Sequence, residues 1–379
     1  MPDKFPPFTI GIEEEYLLVD AATGDLATEP PEGMLADCEA AIVGQVSPEF
    51  MRSQIEVGTK VCANVAEARE DLSMLRNTVI DVAEKYGLAP IASSSHPSSH
   101  WWNQKPTERV RYQQLAAEMQ TAARRLVICG MHVHVGIDDD SVRIDLMNQM
   151  SYFLPHLLAL STSSPFWDGR NTGLKSYRLT VFDALPRTGL PERFASFAEY
   201  ERHVDILKRA GLIEDASKIW WDMRPSARYP TLETRVMDVC TLLEDALALA
   251  SLVVCLLRML YRLRLHNQRW RIYTPMLIKE NRWRAIRYGF DAGMVDLAKG
   301  NVMPFEGLVE DLIDLTAEDA EALGCSAEVQ SLRGILTRGS SAHRQIACYD
   351  AAIEGGAENQ EALRAVVQQL VQETRAHRD

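Results

Sequence analysis

The sequence predicts an α+β fold, in which a mainly antiparallel sheet carries helices on one face and a polar site on the other. Several segments alternate apolar and polar residues with a period of two, which indicates strands. Longer segments between them repeat apolar residues with a helical period. The polar strand positions carry carboxylates and histidines opposite apolar ones, which is typical of an antiparallel sheet with one packed face and one open face.

The boundaries of these elements follow from the same periodicities and from local end signals. Asn64 and the pair Asp140 and Ser141 are candidate N-caps, and Gly87 and Gly211 stand where a left-handed residue ends a helix. The predicted strands cover residues 8–19, 51–57, 88–93, 126–137 and 231–239. The predicted helices cover residues 65–86, 142–160, 190–210, 241–266 and 360–374.

The bulk composition is that of a globular protein with one large core. With 379 residues, 46% of them hydrophobic, the chain can bury a core that needs no disulfide or structural metal. Residues 1–379 contain no repeat and no linker-like stretch, so a single domain is expected. The 53 acidic and 40 basic residues leave a net charge of −13, which argues against nucleic-acid and membrane partners.

Three features favour a cytoplasmic location. The seven cysteines stand singly without a C-x-x-C pair, which is typical of a reducing compartment and argues against a cysteine zinc site. The opening segment MPDKFPPFTIG lacks the apolar stretch of a signal peptide. The longest apolar run, residues 246–257, is far shorter than the ~20 residues that span a bilayer, so a buried helix is expected there.

The first strand offers two carboxylates on one face. Strand alternation places Glu13 and Glu15 on one face and Glu14 with its apolar neighbours on the other. Adjacent carboxylates repel each other and raise at least one pKa, and a divalent cation such as Mg²⁺ removes the conflict. A solvated acidic strand end is the alternative. Glu56, which shares a face with Gln54 on the second strand, is weaker evidence for the same site.

The segment CGMHVHVG, residues 129–136, places two histidines on one strand face. His132 and His134 alternate with apolar residues, and the glycines beside them leave room for a ligand to approach the sheet. Contact with a metal or a nucleotide is one interpretation, because imidazole is the commonest metal ligand. Hydrogen-bonded histidines on a wet sheet face, or the zinc H-x-H strand of an amidohydrolase barrel, are the others.

The last predicted strand carries a carboxylate beside a guanidinium, because Glu233 and Arg235 share a face. Such a pair can hold a cation and a phosphate oxygen together, since the planar fork of arginine suits phosphate. A cross-strand ion pair is the alternative interpretation.

The polar, glycine-rich segment SSPFWDGRNTGLKSYR, residues 163–178, is predicted to be a loop. Its G-x-x-x-G-x-K-S spacing differs from that of a P-loop. Arg170 and Arg178 are candidates for holding a substrate carboxylate or phosphate, and a solvated surface arginine is the alternative for each. The segment NRWRAIR, residues 281–287, is predicted to open a basic helix in which Arg284 is a further candidate for lining a site.

Five of these segments occur in the order seen in one known family. They are GIEEEYLLVD, SQIEVGT, CGMHVHVG, SSPFWDGRNTGLKSYR and TLETRVMD, between Gly11 and Asp238, and ENRWRAIRYG extends the match to Gly289. In this combination the chain resembles the type 2 glutamate–cysteine ligase-like carboxylate–amine ligases of the glutamine synthetase-like superfamily. The resemblance implies a curved, largely antiparallel sheet that forms a funnel-shaped active site, with helices packed behind it.

The resemblance also implies residue roles. Arg235 matches an arginine that contacts the transferring phosphoryl group, and with Glu233 it forms the expected catalytic pair. Glu49 is similar to an acidic residue that precedes the second strand. The implied contacts to a substrate carboxylate are Arg170, Arg178 and Arg284. The implied metal ligands are Glu13, Glu15, Glu56, His132 and Glu233.

The implied activity is that of a ligase that depends on ATP and Mg²⁺, with Mn²⁺ as the alternative metal. ATP would convert the γ-carboxylate of glutamate to an acyl phosphate, and an amino-acid amine such as cysteine, used weakly, would then displace phosphate. The partners are therefore small molecules, and the resemblance allows a homodimer. Two alternatives stay open: a metal-dependent amidohydrolase on a TIM barrel, and a non-catalytic nucleotide- or metabolite-binding protein of the same fold.

Overall fold

Thirteen strands lie within residues 5–378, the part of the chain that the computed structural model describes. The strands are β1 (Ile10–Asp20), β2 (Val46–Pro48), β3 (Gln54–Gly58), β4 (Leu88–Ile91), β5 (Met131–Gly136), β6 (Phe166–Trp167), β7 (Arg170–Asn171), β8 (Thr188–Gly189), β9 (Trp220–Trp221), β10 (Met223–Pro225), β11 (Thr231–Thr234), β12 (Met294–Asp296) and β13 (Asn301–Met303).

Fifteen α-helices occupy much of the same described range. They are α1 (Glu32–Ala41), α2 (Val65–Lys85), α3 (Val110–Met119), α4 (Thr121–Arg124), α5 (Asp140–Met150), α6 (Leu154–Ser161), α7 (Arg178–Phe182), α8 (Phe197–Arg209), α9 (Leu243–Leu265), α10 (Pro275–Tyr288), α11 (Phe305–Leu323), α12 (Ser326–Gln330), α13 (Leu332–Arg338), α14 (Ser341–Glu354) and α15 (Asn359–Arg375). Short 3₁₀ turns cover Trp101–Asn103, Ala216–Lys218 and Ala376–Arg378.

Seven of the strands form one antiparallel sheet around β1. Six of them lie in the order β10, β11, β5, β1, β3, β2, and β4 also pairs with β1. β1 holds three partners because it is eleven residues long: its first half pairs with β5, its second half with β4, and its other edge with β3. This architecture confirms the predicted α+β fold, with a largely antiparallel sheet and helices packed behind it.

One face of the sheet packs on α2 and α9. Ile12 of β1 and Val133 of β5 are fully buried on this face, and so are Leu72 and Val79 of the predicted apolar stripe of α2. Fully burying one such side chain is worth about 1.5–3 kcal/mol of hydrophobic free energy. The polar side chains of the same strands are therefore turned to the opposite face.

A buried ion pair lies behind the sheet, between β1 and α2. Arg76 donates hydrogen bonds to both carboxylate oxygens of the fully buried Glu14, at 2.8 and 2.6 Å. Arg76 also donates to the carbonyl oxygens of Cys240 and Thr241, at 2.8 and 2.9 Å. The hydroxyl of Tyr16 donates to Glu14 as well. The pair therefore joins β1, α2 and the segment that leads into α9.

Three predicted helices differ in extent. The basic helix predicted to open at residue 281 begins at Pro275, and the other two differ for a local reason. Residues 142–160 form two helices, α5 and α6, because Pro155 stands in the first turn of α6, where it cannot continue a preceding helix. The helix predicted from residue 190 begins at Phe197. There the side chain of Ser196 accepts a hydrogen bond from the backbone N–H of Glu199 and caps α8.

Helix α9 forms the centre of the core. By length and composition it is the one helix in the described range that is apolar enough to cross a membrane, and 78% of its most apolar 18-residue stretch is buried inside the protein. A core helix passes the same test, because it too is apolar on all sides. The prediction of a buried helix at residues 246–257 is confirmed. The chain after Gly289, where no motif was found, adds α11 and α12 against α9 and α15 against β4.

Candidate active site

The open face of the sheet is the floor of a cavity of about 910 Å³. β1, β3, β5 and β11 each contribute polar side chains to it. Alternate residues of a strand point to the same face, and the antiparallel register sets these polar residues opposite one another on neighbouring strands. The facing pairs are Glu13 with His132, Glu15 with Glu56, and Glu233 with His134. Four segments that are far apart in the sequence therefore meet in one cavity.

Glu13 lies close to two histidines. Its carboxylate oxygens are 3.1 Å from Nδ1 of His132 and 3.4 Å from Nε2 of His134. Desolvation raises the pKa of Glu13, but the hydrogen bonds from the two histidines outweigh it and hold the pKa well below its ordinary value. Nε2 of His132 is buried without a hydrogen-bond partner among residues 5–378, so this nitrogen remains available to a ligand.

Glu233 is held by two arginines. Arg224 donates to both of its carboxylate oxygens, at 2.8 and 3.3 Å, and Arg235 donates to one of them. Desolvation raises the pKa of Glu233, but the charges of Arg235 and Arg224 outweigh it, and the pKa lies far below its ordinary value. The cross-strand ion pair expected as an alternative is thus present, and its members line the cavity.

Three further carboxylates on the cavity floor lie close together: one oxygen from each of Glu15, Glu49 and Glu56 lies within 4.8 Å of the others. We call these three residues the second acidic group. Desolvation, and then the charge of a neighbouring carboxylate, raises the pKa of Glu15 and of Glu49 to about 7. The same two causes raise the pKa of Glu56 well above its ordinary value. Carboxylates this close cannot all ionise without a counter-charge. A divalent cation with oxygen ligands supplies one, so the group fits a metal.

Glu13, His134 and Glu233 also offer three possible ligand atoms within 4.8 Å of one another, and we call these residues the first acidic group. Glu13 and Glu15 are two residues apart on the same face of β1, so the two groups are neighbours on the cavity floor. Their carboxylate oxygens and single imidazole suit a hard cation such as Mg²⁺ or Mn²⁺ better than a thiophilic one. The residues present therefore fit the metal that the sequence motifs imply.

Two members of these groups, His134 and Glu49, lie outside the predicted ligand set, and one further cavity residue, Arg224, was not predicted. His134 lies within reach of Glu13 and Glu233, whereas the predicted ligand His132 is engaged through Nδ1 with Glu13. Glu49, for which the sequence offered only a similarity, joins Glu15 and Glu56 because the turn between β2 and β3 folds it over the strand. Arg224 was missed because β10 has only three residues and shows no readable alternation.

Of the three arginines predicted to contact a substrate carboxylate, Arg178 lines the cavity and is only 3% exposed. Arg170 is exposed on the hairpin of β6 and β7. Arg284 donates to the carbonyl oxygens of Ala292 and Gly293 and so closes the turn after α10. Within the described residues, neither of these two belongs to the cavity lining. The structure thus brings Arg178 to the site and leaves Arg170 and Arg284 outside it.

A serine–histidine–aspartate chain that the sequence did not reveal lies outside the cavity. Nδ1 of His343 is 2.6 Å from Oγ of Ser340, and Nε2 is 2.9 Å from a carboxylate oxygen of Asp291. Ser340 is 1% exposed, and its hydroxyl is also bonded to that of Thr162 at 2.7 Å. A substrate cannot reach this hydroxyl, so the chain is a structural contact between α14 and the turn after α10.

The amidohydrolase alternative required a barrel of parallel strands around His132 and His134. The main sheet is antiparallel, and His132 and His134 lie on its third strand from the β10 edge. That alternative is therefore wrong at the level of the fold.

Comparisons with known protein sequences agree with one another. The sequence profile of glutamate–cysteine ligase family 2 matches residues 9–369. A Rhodospirillum rubrum protein with the provisional name glutamate–cysteine ligase 2 is 59% identical over 373 residues, which is 97% of this chain and 96% of that protein. A Jannaschia protein with the same provisional name is 57% identical over 366 residues, again 97% and 96% of the two chains.

Two crystal structures share the fold. Glutamate–cysteine ligase from Francisella tularensis, in complex with AMP, matches with a TM-score of 0.67 and 15% sequence identity, covering 98% of this chain and 90% of that one. A bifunctional glutathione synthetase from Pasteurella multocida matches 97% of this chain with a TM-score of 0.67 and 16% identity, and this chain spans 53% of its length. At such low identity the likeness shows the fold alone.

Proposed function

This chain belongs to glutamate–cysteine ligase family 2, and we propose that it joins the γ-carboxylate of glutamate to the amine of an amino acid such as cysteine. As a member of that family it is an ATP-dependent carboxylate–amine ligase. The observation that carries the finer assignment is the cavity itself. Two acidic groups suited to a cation, the guanidinium of Arg235 and that of Arg178 line one space of about 910 Å³.

The chemistry requires a carboxylate to be activated, because a carboxylate oxygen is a poor leaving group. Transfer of the γ-phosphoryl group of ATP to the acid yields an acyl phosphate and ADP. The amine loses a proton and attacks the acyl carbon, the bond to the phosphate oxygen breaks, and phosphate leaves. Acid, amine and ATP thus become amide, ADP and phosphate, and no side chain needs to act as a nucleophile.

Arg235 and Arg178 serve different parts of the substrates in this proposal. Arg235 lines the cavity beside Glu233, with Nη1 3.4 Å from Nδ1 of His132. There it contacts the transferring phosphoryl group and stabilises the charge that spreads over its oxygens. Arg178 binds the carboxylate of the acid substrate, because its planar fork can donate two parallel hydrogen bonds to a carboxylate.

The proposed ligands for Mg²⁺, or for Mn²⁺ in its place, are the two acidic groups of the cavity floor. When bound, such a cation supplies positive charge against the phosphates of ATP. His132 stays a candidate ligand through its buried, unpartnered Nε2. The proposed set is Glu13, His134 and Glu233 in one group and Glu15, Glu49 and Glu56 in the other.

We place the enzyme in the cytoplasm as one domain over residues 1–379, with glutamate, an amine and ATP as its small-molecule partners. Buried apolar residues from Phe8 to Leu370 share one core, which supports a single domain. The net charge of −13 supports the expectation of no nucleic-acid or membrane partner. A homodimer rests on the family resemblance alone, and the molecular mass in solution tests it.

The first test is ADP release from Mg²⁺-ATP with glutamate, with and without a panel of amines that includes cysteine. We expect release that depends on both glutamate and one amine, and a product whose mass equals acid plus amine minus water. Release with glutamate alone would support acyl-phosphate formation and leave the amine open. Tight ATP binding without ADP release, for any acid and amine, would favour the non-catalytic alternative.

Replacing Arg235 by lysine should lower kcat by about 10²-fold, the scale for losing one donor that stabilises developing charge. An ammonium keeps the charge but cannot reproduce the planar fork of a guanidinium. The measurement is kcat for ADP release, and the control is Arg193→Lys, at an exposed arginine outside the cavity lining. Equal kcat values for Arg235→Lys and the control would remove Arg235 from the proposed site.

A further inference from the structure

The buried Asp238, which follows β11, binds both ends of the loop at residues 163–178 that carries Arg178. One oxygen of the fully buried Asp238 accepts hydrogen bonds from the backbone N–H of Ser163 at 2.9 Å and from the hydroxyl of Ser164 at 2.8 Å. Its other oxygen accepts from the hydroxyl of Ser176 at 2.9 Å and lies 3.9 Å from Nη1 of Arg178. The backbone N–H of Arg178 donates to the same Ser164 oxygen at 3.1 Å. Asp238 therefore restrains both ends of this segment.

The guanidinium of Arg178 lies across Gly130. Its Nη1 and Nη2 donate to the carbonyl oxygens of Val236 and Arg235, at 3.4 and 3.3 Å. A Cβ atom at position 130 would lie 2.3 Å from Nη2, so the glycine leaves the space that the guanidinium occupies. Arg178 is thus held both at its backbone and at its charged end.

We propose that Asp238 is a positioning residue, which orients the guanidinium of Arg178 toward the carboxylate of the acid substrate. This inference rests on the proposed function, in which Arg178 binds that carboxylate. Asp238 is fully buried and does not belong to the cavity lining among the described residues, so it would act through Arg178. An arginine fork that is already oriented loses less side-chain freedom on binding, and affinity for the carboxylate rises accordingly.

Glu15 lies beside the same glycine as Arg178. It accepts a hydrogen bond from the backbone N–H of Gly130 at 2.7 Å, so a carboxylate of the cavity floor adjoins the space in which the guanidinium lies. The orientation of Arg178 therefore depends on the contacts on its other side: the link through Ser164 to Asp238, and the two hydrogen bonds to the carbonyl oxygens of Val236 and Arg235.

The test is Asp238→Asn, which keeps the shape of the side chain and removes its charge. We expect the KM for glutamate in ADP release to rise by about 10- to 100-fold, the scale for misplacing a substrate-orienting group, and the KM for ATP to change less than about twofold. The matched control is Asp183→Asn, which removes a carboxylate from Arg282 at the other end of α7. This control should leave both KM values unchanged.

A double mutant separates positioning from a general structural role. In an Arg178→Met background, Asp238→Asn should add nothing further to the KM for glutamate, because both changes act on one contact. If Asp238→Asn does not fold, Ser164→Ala breaks the link from Asp238 to the Arg178 backbone and should raise the same KM. Additive effects in the double mutant, or an equal rise in both KM values, would overturn the proposal.

A readout that is independent of activity is the rate at which phenylglyoxal modifies Arg178, measured from the mass of the peptide that contains this residue. The held guanidinium should be protected in the wild type and react several-fold faster in Asp238→Asn, with the exposed Arg193 as the internal reference. Unchanged protection of Arg178 would overturn the positioning role. If the wild type releases no ADP with glutamate and any amine, the proposed function fails, and the protection of Arg178 decides the role of Asp238 alone.

Discussion

Replacing Glu13 by glutamine is expected to lower ATP turnover by about 10²–10³-fold, the scale for losing one group that organises charge at a phosphoryl-transfer site. Glutamine keeps the shape of the side chain but carries no negative charge, so it cannot form an ion pair with a protonated histidine or serve as an anionic cation ligand. Glu13 is one of the three proposed cation ligands in the first acidic group. Stability should change little, because Glu13 faces the cavity, where water can replace its contacts.

The measurement is kcat for ADP release as a function of Mg²⁺ concentration, together with the thermal unfolding midpoint. We expect a large loss of kcat, a higher Mg²⁺ requirement and an unfolding midpoint close to that of the wild type. Normal turnover with an unchanged Mg²⁺ dependence would remove Glu13 from the proposed site. A large fall in the unfolding midpoint would show that Glu13 acts on the fold and not on the reaction.

Replacing Glu14 by glutamine, one residue along the same strand, should have the opposite effect. It should lower the free energy of unfolding by about 3–5 kcal/mol, the range for removing one partner of a buried ion pair. Glu14 is fully buried behind the sheet, where Arg76 donates to both of its oxygens. The substitution leaves the buried guanidinium of Arg76 without its counter-charge, and desolvation then destabilises the folded state.

Urea unfolding of the Glu14→Gln variant measures this loss of stability. The activity that remains is measured as ADP release without urea, where the variant is folded. We expect kcat of the folded protein to stay within about threefold of the wild type, because Glu14 lies on the face turned away from the cavity. Unchanged stability would show that the Glu14–Arg76 pair contributes little to folding. A collapse of turnover in fully folded protein would show that β1 is displaced when this pair is lost.

The opposite behaviour of Glu13 and Glu14 follows from strand alternation, which the sequence displays directly. Alternation also placed Glu15, Glu56, His132 and Glu233 on open strand faces, because the direction of a side chain in a strand depends on its immediate neighbours. The same local rules located α2 with its Asn64 cap and the buried helix α9. The order of the motifs pointed to the ligase family, and the family match confirms that resemblance.

Alternation alone cannot say which strands are neighbours. The pairing of β1 with β5, and of β5 with β11, joins segments that lie about one hundred residues apart in the chain. Such pairing depends on the fit of the whole core, because contacts between distant segments form only when all the layers pack together. The grouping of His134 with Glu13 and Glu233 depends on this register, and so does the entry of Glu49 into the second acidic group.

The loop residues show the same limit most clearly. Arg170 and Arg178 stand in one polar segment, and periodicity alone gives no reason to separate them. In the folded protein a hairpin turns Arg170 to solvent, whereas Arg178 lines the cavity, with its guanidinium in the space that Gly130 leaves and 3.9 Å from Asp238. The faces of the strands and the identity of the family could therefore be read from local pattern and motif. The selection of the residues that meet in the cavity required the tertiary structure, because each of those contacts joins distant parts of the chain.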